Sequence, residues 1–272
     1  MVIASTRVGS RASHALDSQE HTVVPTTDPS TEPAVTEREL RADRVLDAAE
    51  ELMVAWGPRK VTIDDVARRA KVGKGTVYLH FATKEALLLS VVMRAQLDMI
   101  GRVVDAMRAS PENVRPSEVA RNLYLRHFDS PVVQAILTSG SEALDNLSRS
   151  AAALIGDVVE ERKNALRTYW GILGEHGLLR DDLSFDDQLY AYNAIVIGHM
   201  AGAPLLERQG LHVPDRGTRA DLIAGSVRRL LERNAPPENL GEAQSQVVEL
   251  FSFLEERLRE EIARQKQTKR ST

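Results

Sequence analysis

Thr62-Ile-Asp-Asp-Val-Ala-Arg-Arg-Ala-Lys-Val-Gly-Lys-Gly-Thr-Val-Tyr-Leu-His-Phe81 decides the fold of this chain. Thr62 is placed to cap a short helix, and Asp65, three residues on, to close the box. A hydroxyl and a carboxylate at that spacing satisfy the free amides of a first helical turn. Ile63, Val66, Ala67 and Ala70 recur at three- and four-residue steps, so the helix has one small apolar face. Lys71-Val-Gly73 reads as the turn, with Gly73 taking a backbone conformation closed to most residues and Val72 plugging the core. In the second helix Val77 and Phe81 share a face, which leaves Lys74, Thr76, Tyr78 and His80 on other sides with reach toward phosphates and base edges. Two short helices crossing steeply form the helix-turn-helix unit, whose second helix enters the major groove.

The flanking sequence completes the domain. A helix from Thr36 or Glu37 carries Leu40, Val45, Leu46, Ala49, Leu52 and Met53 as a buried stripe, with Trp56 as its last core residue. Gly57-Pro58 stops it. Thr83 caps the next helix, whose apolar residues run from Ala86 to Met107. That is too long for a small DNA-binding domain, so it is a rod into the rest of the chain. Residues 37–83 are expected to be a three-helix domain. Residues 1–36, polar and broken by Pro25, Pro29 and Pro33, are expected to be a disordered leader.

Beyond the rod the chain is a helical series. Helices are expected at 117–128, 131–138 and 141–170, with 171–182 as a continuation turned at Gly177, then at 185–207 and 218–233. Pro236 and Pro237 mark a break before a final helix at 243–265, where Val247, Phe251, Leu254, Leu258 and Ile262 form an apolar seam flanked by Glu and Arg. This last helix covers its own body or crosses to a partner; the pattern allows both. No convincing β-run occurs, so the fold class is all-α. The segmentation is 1–36, 37–83, a larger helical domain at 84–235, and an additional amphipathic helix with a polar tail at 236–272.

Composition bounds the chemistry. The chain of 272 residues contains no cysteine, which excludes disulfides, thiolate metal sites and cysteine nucleophiles. The N-terminus has no apolar signal segment and no uninterrupted apolar run approaches a membrane span, so a cytoplasmic protein with no membrane partner is expected. The formal net charge is -4, but Arg59 to Lys84 holds seven basic and two acidic residues, a local +5 that leaves -9 elsewhere. A basic patch on an acidic body orients the chain on a polyanion. No phosphate loop, nucleophile elbow, paired-histidine motif or convergent carboxylate set is present, so catalysis is not expected. Metal-ligand spacing is absent as well, and no cofactor is expected.

Residues 38–92 resemble the N-terminal domain of the TetR family of bacterial transcriptional regulators. The likeness rests on Arg44-Val-Leu-Asp-Ala-Ala49, Thr62-Ile-Asp-Asp-Val-Ala67, Lys71-Val-Gly-Lys-Gly-Thr-Val-Tyr-Leu-His-Phe81 and Thr83-Lys-Glu-Ala-Leu87. It covers about a fifth of the chain. The resemblance implies a homodimer that represses a promoter and leaves its palindromic operator when a small-molecule effector binds the C-terminal domain. An effector-independent or activating DNA-binding protein is the alternative.

Carried over by position, Thr62 and Thr76 correspond to phosphate-contacting hydroxyls, and Lys74 to a base or phosphate contact beside Gly75. Tyr78 and His80 correspond to phosphate and groove contacts, and Lys84 to a backbone grip. Arg59 and Lys60 extend the basic edge. Asp64 departs from the tetracycline-responsive members, which can place a base-reading arginine there. It either accepts from a cytosine amino group or stabilises its helix N-terminus.

The family's dimer bundle corresponds to the helices near 185–207 and 218–233, where Ala194, Gly198, Ala201 and Gly202 allow close approach. Candidate effector contacts are Tyr124, His127, Phe128, Trp170, His176, Tyr190, Tyr192, Asn193 and His199. With aromatics at 4% of the chain, a cage for a flat cation is not expected, and an aliphatic or mixed-polarity ligand is as plausible.

Overall fold

Thr36 opens α1 (Glu37–Trp56) with a complete capping box: its hydroxyl accepts the Glu39 N–H at 3.2 Å, and the Glu39 carboxylate accepts the Thr36 N–H at 2.8 Å. The computed structural model describes residues 36–139, 141–234 and 239–266. The leader before Thr36 and the break at Pro236 and Pro237 lie outside these residues. Burial along α1 begins at Ala42 and includes Val45, Leu46, Ala49, Leu52 and Met53. Leu40, in the first turns ahead of that stripe, is exposed. Trp56 is also a correction, since 47% of it faces solvent. The helix ends there because Gly57 turns the chain at φ +78°, and a Cβ on Gly57 would lie 2.9 Å from the Ser139 hydroxyl.

The helix-turn-helix is α2 (Ile63–Arg69) and α3 (Lys74–His80). The turn differs from expectation in which residue takes the left-handed backbone. Lys71 does so, at φ +55°, while Gly73 is extended at φ -71° and ψ 150° and serves as the N-cap of α3. Val72 is half-buried and packs on the head core as expected. Val61, Val66, Val77 and Phe81 close that core with α1 and the start of α4 (Lys84–Ala109).

A 3-10 turn (Pro111–Val114) leads to α5 (Pro116–Asp129), α6 (Pro131–Thr138), α7 (Ser141–Leu154) and α8 (Gly156–Glu175). The helix expected over 141–170 is therefore two. Ile155 breaks it at φ -136° and ψ 36°, and α8 then runs on through Gly171 and Gly174. Gly177, at φ +65°, makes the turn that ends this region. There follow α9 (Phe185–Arg208), α10 (Arg216–Leu231) and α11 (Leu240–Gln265). Among the described residues the one β feature is an isolated bridge between Leu179 and Glu232, so the fold is all-α: an N-terminal helical bundle with a larger helical region behind it.

Packing decides what each long helix does. The head core takes in Val132 and Ile136 of α6, so the head rests on the body through α4 and α6 together. Arg94 of α4 reinforces this with bonds to Asp47 (2.7 Å) and Glu50 (2.5 Å) of α1. The body core gathers Tyr124, Tyr169, Trp170, Leu173, Ile223 and Val247. α11 lies along α4 and α8 of its own chain, one of the two placements its sequence allows. Its last residues reach the head, where Lys266 Nζ meets Asp43 Oδ1 at 2.6 Å.

α9 behaves oppositely. Tyr190, Ile197 and Leu205 are 77%, 61% and 50% exposed, and Leu222 and Leu230 of α10 are exposed as well. By length and composition α9 is the one described helix apolar enough to cross a membrane, with a mean hydropathy of 1.2 over its best window.

Candidate functional site

α3 is too short to be stable alone and is held by Val77 and Phe81, both fully buried. That anchoring turns Lys74, Gly75, Tyr78 and Leu79 to solvent, with Thr76 half-buried. Lys74 Nζ pairs with Asp64 Oδ2 at 2.9 Å, and this hydrogen bond raises the lysine's pKa. Asp64 thus has a role that neither sequence reading included: it ties α2 to α3 across the turn. Thr62 is committed to its own helix, donating to Asp65 Oδ2 at 2.5 Å and accepting the Asp65 N–H at 3.2 Å. The Thr62 bond, helped by the Arg68 guanidinium, holds the Asp65 carboxyl below its usual range. Arg59 and Lys60 are exposed, and half-buried Lys84 donates to the Arg59 carbonyl at 3.4 Å. The local basic charge is therefore partly spent within the protein: Arg68 pairs with Asp65 at 3.0 Å and Arg69 with Glu51 at 2.5 Å.

His80 does not belong to this surface. It is 4% exposed, and the backbone of Lys266 at the end of α11 lies beside its ring. Burial pushes its pKa down, and Arg38 and Arg41 nearby push the same way. Only the Val77 and His80 face of the last turn of α3 is covered by neighbouring helices, so His80 does not reach DNA. Leu79 is the residue the sequence reading passed over. It is 57% exposed beside Tyr78, and its position opposite Val77 and Phe81 on the helix was the available signal.

Of the candidate effector residues, Tyr124, Trp170 and Tyr192 are buried in the body core, with Phe128 packed against it. Tyr124, His127 and Phe128 form an aromatic step on α5, with Tyr124 and Phe128 centroids 4.9 Å apart and the Arg219 guanidinium 5.3 Å from the Phe128 ring. Tyr124 and His127 are buried, and burial raises the pKa of the first and lowers that of the second. Trp170 is held in the same core, its indole N–H donating to Gln188 at 3.3 Å and its ring edge-on to Tyr169 and Tyr192. His176 caps the C-terminus of α8. Tyr190 points outward, and Asn193 donates back to the Leu189 carbonyl at 2.8 Å. His199, its pKa lowered by burial, lies in a shallow cleft with Arg219 and Leu222. Side chains that are aromatic or polar in sequence are here structural members of the core or the surface.

A different part of the body holds an aliphatic cavity of about 250 Å³, between α4, α7, α8 and α11. Leu89, Met93, Val158, Leu254 and Leu258 are among its walls, with Glu161, Arg162 and Arg257 at its edge. Among the described residues no group of three or more His, Asp or Glu side chains is arranged to hold a metal ion.

An N-terminal helix-turn-helix with an exposed polar recognition helix, mounted on a helical body, defines a helix-turn-helix DNA-binding protein. Residues 45–91 match the model for bacterial regulatory proteins of the tetR family, so this stretch carries that family's N-terminal domain. The chain is 35% identical over 105 residues to an uncharacterised HTH-type transcriptional regulator of Mycobacterium tuberculosis, covering 37% of this chain and 50% of that protein. It is 34% identical over 76 residues to the HTH-type transcriptional activator FasR of Mycolicibacterium smegmatis, covering 28% of this chain and 35% of that one. The chain thus spans about half the length, or less, of these curated relatives. The solved structure of SmeT, the repressor of a Stenotrophomonas maltophilia multidrug efflux pump, superposes with a TM-score of 0.51 at 17% identity, over 73% of this chain and 95% of that one. At that identity the likeness establishes the fold alone.

Proposed function

We propose that this chain is a homodimeric, sequence-specific transcriptional regulator that occupies a palindromic operator as a repressor and leaves it when a small molecule binds the body. The observation that carries the reading is the outward presentation of Lys74, Gly75, Tyr78 and Leu79 on a helix whose other side is fully buried. Residues 37–83 read the DNA, with Lys74 and Tyr78 at base edges or phosphates and Leu79 against a thymine methyl. Lys74 exchanges Asp64 for the duplex on binding. Lys84, Arg59, Lys60 and Thr76 anchor the backbone, with the Thr62 hydroxyl kept as the cap of α2.

Residues 84–235 supply the dimer contact and the effector site. The apolar side chains that α9 and α10 turn outward support a two-fold interface there, since a dimer places two recognition helices about 34 Å apart on one face of the duplex. The same need for a partner accounts for the hydropathy of α9 in a cytoplasmic protein. No enzymatic step is assigned. Activation instead of repression is the second reading, favoured by the match to FasR, which is named an activator.

Selection of bound duplexes from a random pool, with sedimentation of the free protein, tests this. A palindromic consensus with half-sites one helical turn or a multiple apart, together with a dimer mass, is expected. A monomer that selects no consensus overturns it. A reporter carrying the selected site downstream of a promoter then gives the sign of regulation.

A further inference from the structure

The aliphatic cavity is closed on one side by α11, the helix that also touches the head. None of its lining side chains is aromatic, and apart from Gln96, Ser148 and the charged edge its walls are leucine, isoleucine, valine, methionine and alanine. A dry cavity of roughly 150 Å³ holds benzene, so one of about 250 Å³ takes on the order of ten non-hydrogen atoms. The edge is polar and asymmetric. Arg257 is engaged by Glu161 at 3.0 Å and also by Glu260. Arg162 is exposed, and among the described residues it has no carboxylate partner. An apolar chamber with one unmatched cation at its mouth is complementary to a flexible chain ending in an anion, which keeps its head in water on the guanidinium and its tail among the aliphatic walls.

The same wall leads to the reading helix. Leu258 lines the cavity, and Ile262, four residues on, packs with Leu89 and Met93. Four residues further, Lys266 pairs with Asp43 of α1 at 2.6 Å, and its backbone lies beside His80 at the end of α3. Three successive turns of one helix therefore join the chamber to the base of the recognition helix.

We propose that the cavity between α4, α7, α8 and α11 is a binding site for a short aliphatic monocarboxylate, with Arg162 receiving the carboxylate, and that α11 passes its occupancy to the head through Lys266. This rests on the effector-responsive reading above and gives it a site, a ligand class and a path. A tail entering the chamber displaces α11 relative to α4 and α8, and the displacement acts on the contacts at Asp43 and His80.

The test uses the full chain and two probes of equal tail length, sodium octanoate and 1-octanol, with binding followed by calorimetry. One octanoate per chain is expected. Arg162→Gln should weaken octanoate about tenfold and leave 1-octanol unchanged. Ala151→Phe, which fills the chamber from α7, should abolish binding of both. Arg162 is on the surface, so that variant decides the matter even where the filled variant fails to fold. Absence of octanoate binding, or equal weakening of both probes in Arg162→Gln, overturns the site.

On a duplex selected from a random pool, octanoate should release the wild type at least tenfold more readily than Lys266→Ala, with octanoate binding equal in the two proteins. Binding without any change in DNA affinity overturns the path while leaving the site intact. Release of DNA by some other compound, with no octanoate binding, overturns the site while leaving effector control intact.

Discussion

The head and the body are built from the same amphipathic helices, yet they place their polar groups differently. In the head the buried set is aliphatic apart from Phe81 and His80, and the charged side chains point outward, some into local pairs such as Arg68–Asp65. In the body, several polar groups are buried and bonded to residues far away in the sequence. Tyr169 donates to the Val114 carbonyl at 2.7 Å, and Trp170 is fixed through Gln188. Glu232, 4% exposed, accepts the Ser117 N–H at 2.7 Å from 115 residues away and so caps α5. The head keeps its chemistry on the outside, where a duplex can meet it. The body uses chemistry to define its interior.

Substitutions should therefore act differently in the two regions. The largest effect on stability is expected for Glu232→Ala, which leaves the Ser117 amide unpaired and takes the carboxylate away from Arg115 and Arg228. A loss on the order of 3 kcal/mol in urea unfolding is expected, and a change below about 0.5 kcal/mol would mean that the body does not depend on this buried carboxylate.

Tyr78→Ala should do the reverse. DNA affinity should fall at least tenfold, about 1.4 kcal/mol, while the dimer and its unfolding midpoint stay unchanged. A mobility shift equal to the wild type would remove Tyr78 from the interface. Lys84→Ala should weaken binding to all duplexes alike. Each lost phosphate contact lowers the slope of log affinity against log salt by about 0.9, and an unchanged slope would assign Lys84 to the Arg59 loop alone.

The smallest effect expected is on pH dependence, and there the two regions converge. His80 in the head, with His127 and His199 in the body, has its pKa lowered by burial. As pH falls below the unfolded value of about 6.5, the unfolded chain takes up protons before the folded one, so stability is present above that pH and is lost as pH falls through the folded values. Thermal unfolding should occur at lower temperature at pH 5.5 than at pH 7.5, and His80→Gln should reduce the difference. A midpoint that rises on acidification would contradict the burial of these rings.

Legibility followed the range of the interactions. Every helix boundary in the head was readable because caps and apolar spacing act within four residues: Thr36 with Glu39, Thr62 with Asp65, Thr83 with Ala86. The turn was placed correctly but assigned to Gly73, because a glycine beside a lysine is the usual choice for a left-handed residue; Lys71 took that conformation instead. His80 was misplaced for a different reason. What covers it is the end of α11, almost two hundred residues downstream, and no periodicity within α3 reports that. The body's interior was hidden for the same cause: aromatic rings such as Trp170 find partners on distant helices, while the cavity is formed from plain aliphatic residues that carry no signal of their own.

The amino-acid order by itself determined that the chain is helical, where a three-helix head stands and which side of α3 is apolar, because these depend on residues three or four apart meeting along one helix. Only the tertiary structure decided that α11 covers its own body while α9 stays uncovered, that His80 is sealed beneath Lys266, and that a chamber opens beside α8 rather than among the aromatics. Those outcomes depend on which helices meet, and that is set by the joint packing of segments far apart in the chain.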